Sequence, residues 1–178
     1  VANLNGEVIK AQDVVLEDVQ LDSFGPWIES SLKEVPSIRA IGFGLPGFEV
    51  AGKIILLDYP ALVGAQLSGV YSQKFHLPVV LENDVNAAAV GYCKRKEIQP
   101  ETTLIYAYFP KKYAPGAGIC LDGKLYKGAS NYAGEISNLP LGDDWLNPAL
   151  YQSPEQFCPA IAKTVIAMCS LLNPHLVI

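Results

Sequence analysis

Asn83 and Asp84 stand where a short apolar run, Val79–Leu81, gives way to an Ala-rich pattern from Val85 to Arg95. The run reads as a buried strand and the pattern as a helix. An amide and a carboxylate therefore sit where a strand delivers its carboxyl end and a helix begins, the junction at which α/β folds bind ligands. A helix amino terminus adds unpaired N–H donors and a partial positive charge, which favours anionic groups. Asp is also among the commonest helix-capping residues, so on this stretch alone Asp84 reads either as a cap or as a functional carboxylate. Glu135, between Ala133-Gly134 and apolar Ile136, reads either as a solvated loop carboxylate or as a second ligand group.

The neighbouring blocks give these residues a context. Gly42–Asp58 is GFGLPGFEVAGKIILLD, Leu77–Tyr92 is LPVVLENDVNAAAVGY, and Gly116–Gly142 is GAGICLDGKLYKGASNYAGEISNLPLG. Together they resemble the ROK family, the sugar kinases and sugar-responsive repressors built on the actin-like, ribonuclease-H-like ATPase fold. The resemblance runs from about Asn3 to Ile178, and ENDVNAAA and DGKLYKGASNYAGEIS are its most specific parts. It implies an α/β protein with mixed sheets flanked by helices and two lobes with a ligand cleft between them. It also brings Asn83, Asp84 and Glu135 to one sugar site, where Asp84 is the general base of a kinase and Asn83 and Glu135 hold ring hydroxyls. The turn ending at Gly47 leads into a loop that touches the sugar.

Two departures from the family pattern bear on activity. Asn138 stands where the family usually has a His that contacts sugar and ligates zinc. The Cys-rich zinc loop is also missing, since 139–157 holds no Cys or His and lone Cys158 cannot build a four-ligand site. No zinc is expected. In the family kinases a Gly-Thr-Gly stretch wraps the nucleotide phosphates with backbone amides. Here the run is Phe109-Pro110-Lys111-Lys112-Tyr113-Ala114-Pro115, and Gly116 and Gly118 alone remain as cofactor-binding candidates. Pro110 and Pro115 lack an N–H, and Tyr113 is bulky. The expected function is the effector-sensing, sugar-binding domain of a transcriptional regulator of carbohydrate metabolism. The alternative is an ATP- and magnesium-dependent glucokinase or N-acetylhexosamine kinase, and a bare scaffold subunit is a third reading. A homodimer is implied by the resemblance, and DNA would be bound only through a segment outside this chain.

Bulk properties agree. The chain has 178 residues, half of them hydrophobic and 17% charged, a composition that excludes disorder. A net charge of −5 with scattered Lys and Arg argues against a surface that itself grips a phosphate backbone. No charged-then-apolar leader opens the chain, and the stretch within Ala160–Leu172 is interrupted by Lys163, so a cytoplasmic protein without a membrane span is expected. Cys93, Cys120, Cys158 and Cys169 show no CxxC spacing and read as free, mostly buried thiols.

Stepping along the chain, Asn5-Gly6 and Asp122-Gly123 each predict a two-residue hairpin. A hairpin at residue 1 implies a missing earlier strand, which in the ROK pattern carries the first phosphate loop. Asp22 or Ser23 is expected to cap a helix through Val35. Ile38–Phe43 predicts a strand, and Gly42–Gly47 matches G-x-G-x-x-G. A dinucleotide site is rejected there because another strand-like run, Lys53–Leu57, follows in place of a helix. Pro60–Phe75 predicts one helix, Thr103–Phe109 a strand, and Ser153–Leu172 a helix ended by Asn173-Pro174. A hinge is expected at Lys94–Thr102, dividing lobes 1–97 and 98–178. His76 and His175 read as ordinary residues.

Overall fold

The computed structural model describes residues 1–16, 18–56, 59–111 and 113–178, with Leu56 described by its backbone alone. Leu57 of the expected strand and Lys112 of the expected phosphate loop lie outside the described residues. The chain divides into two compact units, Val1–Asp84 and Val85–Ile178.

The first unit begins with a turn at Asn5-Gly6 that closes on one antiparallel bridge, Ala2 to Val8. The expected hairpin stops there because Asn3 Oδ1 accepts the N–H groups of both Asn5 and Glu7, side-chain bonds that compete with a ladder. Helix α1, Gly25–Glu34, starts later than expected and has no side-chain cap. Ser23 Oγ accepts instead from the Gln20 N–H and donates to the Asp18 carbonyl, so it is spent in the preceding turn. Pro26 in the first helical turn supplies a preset φ. Strand β1, Ile41–Leu45, leads through Pro46 into β2, Gly47–Val50, which pairs antiparallel with β3, Lys53–Leu56.

The single helix expected over Pro60–Phe75 is two elements, a 3-10 turn at Pro60–Leu62 and α2, Leu67–Phe75. Gly64, at φ +80°, separates them, and its N–H donates to the Ile54 carbonyl. Strand β4, Val79–Asn83, runs parallel to β1 with Leu45 opposite Asn83. Ile54, Leu62, Leu67 and Tyr71 form this unit's core. Phe24, Phe43 and Phe75 ring Tyr71, with Phe43 and Phe75 centroids 5.5 and 5.8 Å from it. The Tyr71 hydroxyl donates to the Leu21 carbonyl at 2.7 Å.

The second unit holds the rest of helix α3, Asp84–Arg95. Strands β5 (Leu104–Tyr108), β6 (Gly116–Leu121) and β7 (Lys124–Tyr126) form a meander. Strand β8, Leu176–Val177, pairs parallel with β5, giving the order β7-β6-β5-β8. Asp122 and Gly123 sit at φ +50° and +69°, the left-handed pair that the β6–β7 turn requires. Helix α4, Pro154–Leu172, begins after Ser153 and ends at Asn173 in the left-handed conformation, as its sequence predicts. At 19 residues it is long and apolar enough to cross a membrane by length and composition. Its Ala160, Thr164 and Met168 are buried, however, and Met168 packs with Ile105, Ala117 and Ile136.

Alternation along β5 and β6 builds two apolar faces. Ile105 and Ala117 meet Met168 of α4, while Leu104 and Cys120 meet Ala89 of α3. That second contact places α3 with the sheet, and the two compact units divide at Asp84/Val85. The cysteines are less buried than expected: Cys120 is buried, Cys93 and Cys169 are half-buried and Cys158 is exposed. His175 Nδ1 accepts from the Thr103 N–H, and His76 ends α2.

Gly118 is where α3 and β6 come closest. A Cβ there would lie 2.5 Å from Ala89 Cβ and 3.0 Å from the Val85 carbonyl oxygen. Real carbon contacts are about 3.5–4 Å, so the helix axis is set by the absence of one methyl. Gly118→Ala is expected to destabilise the protein by roughly 1–3 kcal/mol through overpacking. Ala89→Gly in the same chain should recover part of that loss in urea melts, because the two sites are in contact.

Candidate functional site

Strand β4 delivers Asn83 as its last residue, and Asp84 follows as the first residue of α3. Apolar Val79 and Leu81 of β4 pack on the first core, which pins the strand and hence its carboxyl end. Asn83 is half-buried and Asp84 exposed. The parallel neighbour β1 ends level with them, and a Cβ on Gly44 would be 3.8 Å from Asp84 Cα. Gly47, two residues beyond β1, opens β2 opposite Leu56. The first unit therefore brings Gly44, Gly47, Asn83 and Asp84 to the same end of the β1–β4 pair. Glu82 joins them, its Oε1 accepting the Asn83 N–H at 3.0 Å. The sequence alone assigns Glu82 no role, since the apolar run ends at Leu81, whereas β4 continues to Asn83.

Glu135, Asn138, Gly116 and Gly118 belong to the second unit. Glu135 is half-buried before a 3-10 turn, Ile136–Asn138, and Asn138 is exposed with its N–H donating to the Glu135 carbonyl. Two features fix this turn. Ile136 is buried with Ile105, Ala117 and Met168. Gly134, at φ +98°, accepts the Ala117 N–H at 2.8 Å, and a side chain there would run into the Ala117 carbonyl. Only glycine lets the Glu135 loop lie against β6.

The same hydrogen bond settles where the β6 amides point. The Ala117 N–H turns away from β5 to Gly134, so alternation turns the N–H groups of Gly116 and Gly118 toward β5, where they stand opposite Tyr108 and Tyr106. The side of Gly118 that lacks a Cβ is filled by α3, and a Cβ on Gly116 would meet Val85 at 3.4 Å. Neither glycine lies in an open cradle of the kind a phosphate group needs. Of the β5–β6 connection, Pro115 is buried, Tyr113 is 62% exposed, and Phe109 packs on Trp145 with centroids 5.6 Å apart.

Among the described residues no three His, Cys, Asp or Glu side chains converge as a metal site requires. A different tie holds the segment after Asn138. Lys163 Nζ of α4 donates to Asp143 Oδ1 at 2.7 Å and to the Leu141 carbonyl at 3.3 Å. The Asp143 side chain is 13% exposed and its Oδ2 is buried with no hydrogen-bond partner. This pair was illegible in the sequence, since its members stand 20 residues apart.

The chain belongs to the ROK family, whose sequence profile matches residues 1–158. It is 35% identical over 117 residues to the xylose repressor of Caldicellulosiruptor bescii, covering 62% of this chain and 29% of that protein. It is 32% identical over 111 residues to the N-acetyl-D-glucosamine kinase of Vibrio parahaemolyticus, covering 60% and 36%. The matched segment thus spans about a third of each relative's length. A ROK family protein of Streptococcus pneumoniae, solved in complex with sucrose, superposes on 99% of this chain and 73% of its own at TM-score 0.74 and 16% identity. The fold is accordingly the actin-like ATPase fold of the ROK sugar kinases. Repressors and kinases both stand among the relatives.

The Lys163 tie predicts its own test. Lys163→Met leaves the mostly buried Asp143 carboxylate without its cation. That should cost about 1–2 kcal/mol, between the cost for an exposed pair and for a buried one. Asp143→Asn combined with Lys163→Met should cost less in urea melts than the sum of the two single changes.

Proposed function

We propose that this chain is the sugar-binding, effector-sensing part of a ROK-family transcriptional regulator of carbohydrate metabolism. In this reading Asn83, Asp84, Glu135 and Asn138 hold the hydroxyls of a hexose or N-acetylhexosamine, with Gly47 at the edge of the site. Two amides and two carboxylates supply both the donors and the acceptors that sugar hydroxyls need, and rigid strand ends and a glycine-fixed turn order them in advance. DNA is bound through a segment outside this chain, and the protein acts as a homodimer. No zinc takes part.

The observation that carries the choice of regulator over kinase is the fate of the amides. Phosphoryl transfer depends on positioning and on charge stabilisation by preorganised donors. Gly116 and Gly118 direct theirs to β5, and two of the seven residues in Phe109–Pro115 are prolines with no N–H. Each lost donor costs about a hundred- to thousandfold in rate. Asp84 is then retained as a sugar ligand. The second reading, an ATP- and magnesium-dependent kinase with Asp84 as general base, is favoured by the N-acetylglucosamine kinase relatives and by the exposed position of Asp84 at the helix start.

Calorimetric titration of the full-length protein with hexoses and their N-acetyl and 6-phospho forms should find one that binds. Asp84→Ala should weaken it by about 10- to 100-fold, the worth of a hydrogen bond to a charged group. An unchanged affinity would remove Asp84 from the site. With the best-binding sugar and MgATP, ADP release should stay far below the ~1–100 per second of ordinary kinases. Turnover in that range, lost on Asp84→Asn, establishes the kinase instead. Metal analysis of the purified protein should show well under one zinc per chain, and a stoichiometric zinc would overturn the donor-set argument.

A further inference from the structure

We infer that Cys93 of α3 and Cys120 of β6 are the two halves of a reversible disulfide, an oxidative modification site that ties the helix to the strand. Their sulfurs lie 3.8 Å apart, within thiol hydrogen-bonding distance. The pair sits in the apolar layer between α3 and the sheet, with Ala89 and Leu104 buried beside it and Tyr92 and Leu125 at its border. Its placement follows from the Gly118 approach. Ala89 and Cys93 are one turn apart on the same face of α3, and Gly118 and Cys120 share one face of β6. The contact that seats Ala89 on Gly118 therefore also brings the two sulfurs together. A disulfide needs about 2.05 Å between them, a closure of the order of 2 Å that side-chain rotation and a slight approach of the elements can supply.

The two thiols differ in exposure. Cys93 is half-buried and open to a small oxidant, while Cys120 is 2% exposed. Burial, reinforced by the neighbouring Cys93, pushes the Cys120 thiol up to about 11, so at neutral pH little of it is thiolate and its attack on oxidised Cys93 is the slow step. With a peroxide as oxidant, Cys93 Sγ attacks one peroxide oxygen, the O–O bond breaks, and the departing hydroxide leaves as water with the Cys93 proton. Cys93 is then a sulfenic acid. Cys120 Sγ attacks Cys93 Sγ, the S–O bond breaks, and the leaving hydroxyl takes the Cys120 proton as a second water. Two thiols and one hydrogen peroxide thus become one disulfide and two waters, with two electrons passing from sulfur to oxygen. The closed loop spans residues 93–120, which restricts the unfolded chain and stabilises the folded one.

The test uses the full-length protein treated with hydrogen peroxide, blocked with an alkylating agent and mapped as peptides without reduction. The expected product links the Cys93 peptide to the Cys120 peptide, leaves Cys158 alkylatable, and reverts with dithiothreitol. The thermal midpoint should rise by at least about 5 °C on oxidation. Cys93→Ser and Cys120→Ala should each abolish the link, and the half-buried position of Cys93 keeps the first variant informative if the second fails to fold. Over-oxidation of Cys93 to a sulfinic acid with Cys120 still alkylatable overturns the inference. So does a disulfide that runs through Cys158 or Cys169, or a link that leaves the midpoint unmoved.

Discussion

The approach of Ala89 to the backbone of β6 at Gly118 decides the course of α3. No polar atom takes part, and the contact works through an absent methyl group rather than through a bond. Its consequences are long-range all the same. Helix α3 is continuous to Arg95, and within the second unit this contact fixes its course from Val85 onward. Gly134 is another glycine of this kind, and it lays the Glu135 turn on the same strand. Strand β6 is the common support of both.

That strand also shows how backbone hydrogen bonds are divided among neighbours. Each residue of β6 has a single N–H to spend. Ala117 gives its to Gly134 and so holds the Glu135 turn, while Gly116 and Gly118 face β5. An amide committed to a sheet is not free to stabilise a phosphate group, and proline has none to give. The polar side chains at the strand ends draw on a different resource and are untouched by that commitment.

The sequence was most readable where one residue's conformational preference had no rival. Asp122-Gly123 specified a left-handed turn pair, Asn173-Pro174 stopped a helix, and the Val79–Leu81 run followed by alanines gave a strand and then a helix. It was less readable where side chains had a second use. Ser23 was a plausible cap, but it bonds into the turn before α1. Asn3 takes backbone donors that a hairpin ladder would have used, and Gly64 interrupts a helical pattern whose apolar spacing runs on through it. The candidate site residues were proposed by type and by family resemblance, whereas the packing and ion-pair contacts of the second unit, Gly118 against Ala89, Gly134 against Ala117 and Lys163 with Asp143, join positions 17 to 29 residues apart, and local pattern carries no trace of them.

The order of strands in the second sheet sets a schedule for its assembly. Strands β5, β6 and β7 are joined by short connections and can pair as soon as residues 104–126 exist. The other edge of β5 has to wait for β8, which arrives only after the Glu135 turn and the whole of α4 have been made. Until then β5 presents an unpaired row of backbone donors and acceptors, with Leu104 and Ile105 on its two faces, and open edges of that sort recruit other chains. A nascent chain is thus most exposed to misassociation in the interval between completing its meander and delivering its last strand, and α4, formed just before that strand, is placed to cover one face of the sheet during the delay.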